Sequence, residues 1–172
     1  DLLASADEIV NQLKPQIHSS SEALREDSLL QTALAELKSA YDQSHGGFGH
    51  APKFPTPQNI LFLLRSWKRF HDEEALQMAE KTLQNMRRGG ITDHLGYGIH
   101  RYSTDEKWLL PHFEKMLYDQ AMFSIACIET YQVTGKEEYA KMAGEIFSYV
   151  LTDLKSPEGG FYSAEDADSD GE

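Results

Sequence analysis

The sequence carries one cysteine in 172 residues, so no disulfide can form within the chain. That residue, Cys127, sits in the apolar run Phe123-Ser124-Ile125-Ala126-Cys127-Ile128, the setting of a buried structural thiol. Such sparing use of cysteine fits a reducing compartment, and a cytoplasmic protein is expected. Basic side chains are also scarce. Sixteen Lys and Arg face 28 Asp and Glu, for a formal net charge of −12. This balance denies the chain the basic face that nucleic acid requires, and it disfavours an anionic membrane surface. No apolar stretch reaches the roughly 18 residues expected of a membrane span. The start, Asp1-Leu2-Leu3-Ala4-Ser5, has no basic segment leading into an apolar one, so no signal peptide is expected. The chain begins inside a helical pattern and stops inside an acidic loop, as a segment of a larger protein would.

Motifs of cofactor and metal chemistry are missing too. There is no phosphate loop, no nucleophile elbow, no Cys-x-x-Cys and no pair of histidines at helical spacing. Asp166-Ala167-Asp168-Ser169-Asp170-Gly171 matches the opening of a calcium loop. A complete loop needs an acidic ligand at its twelfth position, and the chain stops at the seventh, Glu172. Neither cofactor nor metal is expected.

What the sequence has in abundance is helical periodicity. Leu2, Ala6, Ile9, Val10 and Leu13 make one apolar stripe, closed by Pro15 and followed by a polar linker, His18 to Glu22. A second helix is predicted to open at Ser28, with Gln31 completing a capping box, and to carry Leu29, Leu30, Ala33, Leu34, Leu37 and Tyr41. A third follows Thr56-Pro57, an N-cap and a first-turn proline. The turn His71-Asp72-Glu73-Glu74 starts a fourth, a fifth spans about Pro111 to Val133, and a sixth runs from about Glu137 to Leu154. Strand-like alternation is confined to short stretches in the loops, such as Gly98 to Tyr102. The fold expected is all-α, built of antiparallel helical hairpins.

The connections alternate between short and long. Short turns join helices three to four and five to six, which makes each pair antiparallel. The long connections start Gly46-Gly47, Gly89-Gly90 and Gly159-Gly160, each followed by an apolar residue. This reads as an internal repeat that gathers three glycine-led loops at one end, with helices three and five on the inside. Irregular backbone at one end of a rigid helical frame is where sites tend to lie.

The loop from Asp93 to Lys115 is the densest in functional groups. Aromatic rings beside carboxylates, His and Arg suit a sugar, whose C–H faces stack on rings and whose hydroxyls need converging donors and acceptors. Candidates for acid–base catalysis are Asp93, His94, His112 and Glu114. Candidates for substrate binding are His50, Lys53, His100, Arg101, Tyr102, Trp108, Glu165 and Asp166. Each taken singly could instead brace a loop or cap a helix; Glu114, near the expected start of helix five, would be favoured there by the helix dipole alone.

Several motifs together resemble one family. Gly46-Gly47-Phe48-Gly49 with Pro52-Lys53-Phe54-Pro55 is followed by Gly90-Ile91-Thr92-Asp93-His94-Leu95-Gly96 and Arg101-Tyr102-Ser103. Pro111-His112-Phe113-Glu114-Lys115-Met116-Leu117-Tyr118-Asp119 and Ser163-Ala164-Glu165-Asp166-Ala167-Asp168-Ser169 complete the set. They resemble the YyaL-like thioredoxin-domain-containing proteins over nearly the whole chain. The resemblance implies a partial (α/α)6 toroid of the six-hairpin glycosidase type, similar in shape to N-acylglucosamine 2-epimerase. Residues 1–22 would then be a linker helix and polar linker, and 23–172 the first part of the toroid. It also implies a thioredoxin-like domain elsewhere in the full-length protein as a partner, with any redox cysteines outside this chain. No residue role is carried over from the family. The functions expected are a carbohydrate-active domain (an epimerase, isomerase or glycosidase-like enzyme) or a non-catalytic scaffold serving the thioredoxin-like domain.

Overall fold

The computed structural model describes residues 7–8, 10–11 and 26–168. The chain divides into two compact units, 1–33 and 34–172. In the first, Asp7, Glu8, Val10 and Asn11 are helical, as is the chain from Glu26 onward. Most of the expected first helix, its closing Pro15 and the expected boundary at residue 22 lie outside the described residues. Helix α1, Glu26–Ala40, starts two residues before the predicted capping box, so Ser28 is inside the helix and not its cap.

The second unit is built of helical hairpins. Helices α2 (Pro57–Phe70) and α3 (Glu73–Arg88) pack together across a two-residue turn, as do α4 (Leu117–Thr134) and α5 (Glu137–Tyr149). The buried positions of α3, Ala75, Met78, Ala79, Thr82, Leu83 and Met86, recur at three- and four-residue spacing, the stripe of an amphipathic helix. Asp72 caps α3 by accepting from the Ala75 N–H at 3.1 Å. Gly135 ends α4 in the left-handed conformation. Helices α2 and α4 pack on each other, as expected of the inner pair. Cys127 on α4 is fully buried, and burial pushes its thiol pKa up, in keeping with a structural role. Helix α5 continues as a π-helical turn, Val150–Leu154. No described helix is long and apolar enough to cross a membrane.

A predicted helix start and a predicted cap are corrected. Helix α4 begins at Leu117 and not near Pro111. The six residues before it form β2 (Pro111–His112) and β3 (Lys115–Met116) around Phe113 and Glu114. Strand β2 pairs antiparallel with β1 (Tyr102–Ser103), and β3 with β4 (Ala164–Glu165). Pro111 has no N–H to give, and the Leu117 N–H goes to the Ser163 carbonyl at 2.9 Å, so tertiary partners claim this backbone before a helix can. Glu114 therefore lies outside the first turn, and the dipole does not account for it; Asp119 occupies that turn. Thr56 precedes α2 as predicted but does not cap it: its backbone is left-handed, φ 41° and ψ 58°, and its side chain makes no capping bond.

The internal repeat is present in a shifted register. In the first loop Tyr41 bridges Phe48, and in the second Thr92 bridges Ile99. Asp42 Oδ1 accepts from the N–H groups of Ser44 and His45, and Asp93 Oδ1 accepts from those of Leu95 and Gly96. The left-handed pair matching Gly46-Gly47 is Tyr97-Gly98, with φ 67° and 80°. Gly89 and Gly90 keep ordinary backbone; a Cβ on either would meet the carbonyl of Trp108 or Leu109. The third loop repeats the bridge, Lys155 to Phe161, with Gly159-Gly160 as its left-handed pair.

A buried lysine closes each of the first two loops. Lys53 Nζ lies 2.6 Å from Asp42 Oδ2 and 5.1 Å from the Trp108 ring centre. Lys115 Nζ lies 2.8 Å from Asp93 Oδ2 and 4.3 Å from the Tyr149 ring centre. The loop glycines press on the same rings: a Cβ on Gly98 would sit 2.7 Å from Tyr149 Cδ1, and one on Gly47 would strike Trp108. Both lysines also run in short backbone ladders to the next loop, Lys53 to Ser103 and Lys115 to Glu165. Consecutive loops are thereby stitched at one end.

These braces make a stability prediction. Lys115→Met leaves Asp93 charged and unpaired, and should cost about 3 kcal/mol in denaturant unfolding at pH 7. Burial opposes charge on Asp93, but the Lys115 hydrogen bond, the Leu95 and Gly96 N–H groups and the Lys115 charge outweigh it, holding the carboxyl at about 2 against an ordinary 3.8. A depressed carboxyl stabilises the fold above its unfolded value and loses that effect as pH falls through the folded one. The gap between wild type and Lys115→Met should accordingly close between about pH 4 and 2.

Candidate functional site

The braces use several of the predicted site residues. Lys53 is fully buried, and its ammonium is held by Asp42 and by the Glu106 carbonyl at 3.1 Å. Asp93 has both oxygens engaged, one by backbone N–H groups and one by Lys115. Trp108 is 0% exposed, in left-handed backbone, with its indole N–H on the His45 carbonyl at 2.9 Å, so neither ring face is open for stacking. His94 Nε2 meets the Gly89 carbonyl at 3.0 Å and Nδ1 meets Arg87 Nη1 at 3.3 Å, an arrangement that one tautomer, with the proton on Nε2, satisfies at both ends. Glu165 accepts from the Tyr149 hydroxyl at 2.7 Å. His100 is buried edge-on to Phe113, and burial followed by the Lys115 charge lowers its pKa below the ordinary imidazole value.

Another subset gathers on an accessible rim. Strand pairing sets Tyr102 opposite His112, and their rings stack with centres 4.9 Å apart and planes 15° apart. Phe54 continues the ladder, 5.0 Å from Tyr102. Arg101 and Glu114 are linked twice: the Arg101 N–H donates to the Glu114 carbonyl at 2.8 Å, and Nη1 lies 2.6 Å from Oε2. This bond raises the Arg101 pKa further. His112 Nε2 stands 3.8 Å from the same Glu114 oxygen. The rim thus combines ring faces, a charged donor, a carboxylate and an imidazole. These are the groups that polyhydroxylated ligands require.

Beside the rim is an open cleft of about 290 Å3, lined by Phe54, Thr56, Gln58, Tyr118, Asp119 and Met122 among others. Asp119 is half-buried, and its carboxyl is pushed up to about 6: burial raises it, the Arg101 charge opposes, and the Glu114 charge adds. Thr56, Tyr118 and Asp119 were not among the predicted site residues. The early helix start expected at Pro111 hid Asp119 in mid-helix; a start at Leu117 puts it in the first turn, beside the rim. Thr56 carries no sequence signal, because its chemistry reads as an N-cap.

His50 lies apart, 3.3 Å from Glu106, on a wider groove of about 570 Å3 beside the first loop. Asp166 is exposed and receives the Asp168 N–H at 3.3 Å; Asp170 lies outside the described residues. Among the described residues, no group of three or more His, Cys, Asp or Glu is arranged to hold a metal ion.

Several solved structures with this arrangement of hairpins are named as sugar-processing enzymes. A cellobiose 2-epimerase from Bacillus thermoamylovorans superposes with a TM-score of 0.68 at 18% identity, over 81% of this chain and 40% of its own. A sugar epimerase from a ruminal bacterium gives 0.71 at 16%, over 81% and 40%. An α-mannanase of glycoside hydrolase family 76 from Bacteroides thetaiotaomicron gives 0.66 at 16%, over 82% and 42%. At such identities the likeness shows the fold alone. The chain is part of an α/α toroid of the six-hairpin glycosidase type.

No family model matches the chain. Sequence relatives are much nearer than the structural ones. Spermatogenesis-associated protein 20 of Mus musculus is 51% identical over 138 residues, 78% of this chain and 18% of the mouse protein. The Homo sapiens protein is 50% identical over the same extent. An uncharacterised Caenorhabditis elegans protein is 35% identical over 168 residues, 94% of this chain and 23% of its own. The chain spans about a fifth of the length of these relatives. With relatives about half identical over 78% of its length, the chain belongs to the YyaL-like family of spermatogenesis-associated protein 20.

Proposed function

We propose that the loop end of this segment binds a carbohydrate and supports acid–base chemistry on it, of the epimerase, isomerase or glycosidase-like kind. The observation that carries the reading is the union, on one rim, of the Phe54–Tyr102–His112 ladder with the Arg101–Glu114 pair. Sugar-processing neighbours with the same fold support it. In this reading Tyr102 and Phe54 offer ring faces and Arg101 donates to hydroxyls. Glu114 and His112 exchange protons with the ligand. Asp93, His94 and Lys53 act as positioning residues, since their polar atoms serve the loops.

The test is a thermal shift on the full-length protein with cellobiose and with mannose. A ligand that binds only the folded state should raise the melting temperature by mass action. Tyr102→Ala should weaken binding about tenfold, equivalent to about 1.4 kcal/mol. No shift with either sugar at saturating concentration would count against the reading.

A second reading is a docking scaffold for the thioredoxin-like domain of the same protein. It is favoured by exposed apolar side chains at this end, Leu95, Leu109, Leu110 and Phe113 among them. It predicts that Leu109→Ser with Leu110→Ser increases hydrogen exchange across the interface in the full-length protein, with sugar binding unchanged.

A further inference from the structure

Among the described residues five buried polar atoms lack a partner, and two of them, Thr56 Oγ1 and Asp119 Oδ2, belong to residues that line the same cleft. Buried polar atoms are nearly always hydrogen-bonded, so an orphan calls for a reason. One orphan alone is compatible with local packing; two of complementary chemistry in one cleft point to a shared absent partner. Thr56 is also held in left-handed backbone, where a β-branched residue is strained. Strain of this kind concentrates at functional sites.

The chemistry of the walls narrows the partner. The nearby cation, Arg101, is paired with Glu114, which leaves little attraction for a phosphate or carboxylate. Phe54 and Tyr118 expose ring surface to the cleft. Thr56 Oγ1 can donate or accept, Asp119 Oδ2 accepts when charged and donates when protonated, and Gln58 does both. A neutral polyhydroxylated ring satisfies this set better than an anion does.

We propose that Asp119 transfers a proton at the loop-end site alongside Glu114 and His112, taking the proton of the carbon next to a sugar carbonyl onto Oδ2 while the C–H electron pair passes toward the carbonyl oxygen, and returning a proton to that carbon in the following step. The residue is regenerated, and no oxidant or second reactant is required. The assignment rests on the carbohydrate reading above and deepens it. The charged and titratable groups that face Asp119 are Arg101 and Glu114 from the loop before α4, Tyr118 on α4 itself and His112 beyond Glu114. The segment leading into α2, from Phe54 to Asn59, contributes none.

The experiment follows the affinity of the full-length protein for cellobiose and mannose by calorimetry between pH 5 and 7. Wild-type affinity should rise about tenfold over that range, as a carboxylate gains a hydroxyl donor. Asp119→Asn should abolish the rise, and Asp119→Glu should retain part of it. His112→Gln should keep the pH dependence, whatever its effect on affinity. Asp119→Asn must also fold. Its carboxyl lies at about 6 in the fold against 3.8 ordinarily, so it favours folding below 3.8 and loses that effect as pH rises through 6. The variant should therefore melt above wild type at pH 7.5 and level with it near pH 4. Sugar binding with an unchanged pH profile in Asp119→Asn overturns the assignment alone. Failure of both sugars to bind at any pH overturns the carbohydrate reading as well.

Discussion

The loop end of this segment hangs on a lysine buried against an aspartate. Lys53 with Asp42, and Lys115 with Asp93, are ammonium–carboxylate pairs removed from most solvent. Taking such charges out of water is costly, and they persist only where further hydrogen bonds complete their shells. Here backbone N–H groups cover the carboxylates, and carbonyls and an aromatic ring cover the ammonium. The pair thereby fixes the curl of a loop, the packing of a glycine on a ring and the pairing of a short strand with the next loop.

From those braces the geometry of the candidate site follows. Lys53 runs beside Ser103, which places Tyr102 next to Phe54 and opposite His112. Lys115 runs beside Glu165, and the chain then enters α4 with Asp119 in its first turn. Two repeats of one device thus deliver an aromatic ladder from one side and a half-buried carboxyl from the other. The residues that make the frame and the residues that face solvent alternate along the same loop, and this alternation is what a reading of residue types alone could not sort. Asp93 and Asp119 are both carboxylates with polar neighbours in sequence, yet their surroundings drive them in opposite directions, to about 2 and about 6.

Much of the fold was legible from the chain. The stripe of α3, the turn at His71-Asp72, the glycine that ends α4 and the gathering of three loops at one end all follow from local rules of periodicity and capping. The loop most dense in His, Asp, Glu and aromatics does hold the rim. The placement of individual side chains was legible only in part. Arg101, Tyr102, His112 and Glu114 come together, whereas Lys53, Asp93, His94, His100 and Trp108 are held by the loops themselves, and His50 lies on a separate groove. Tyr97-Gly98, and not Gly89-Gly90, keeps the register of the repeat, because backbone conformation is set by which residue must take a positive φ and not by glycine content alone.

The sequence by itself determined the helical hairpins, their inner and outer members, the loop end and the family, since each rests on contacts within a few residues or on motifs read in order. Only the tertiary structure decided where α4 begins, which charged groups are buried as pairs, and that Asp119 and Thr56 share a cleft. Those outcomes depend on hydrogen bonds and desolvation between residues far apart in the chain, such as Leu117 with Ser163 or Asp119 with Arg101. Such terms are fixed by distance and burial, which local sequence does not specify.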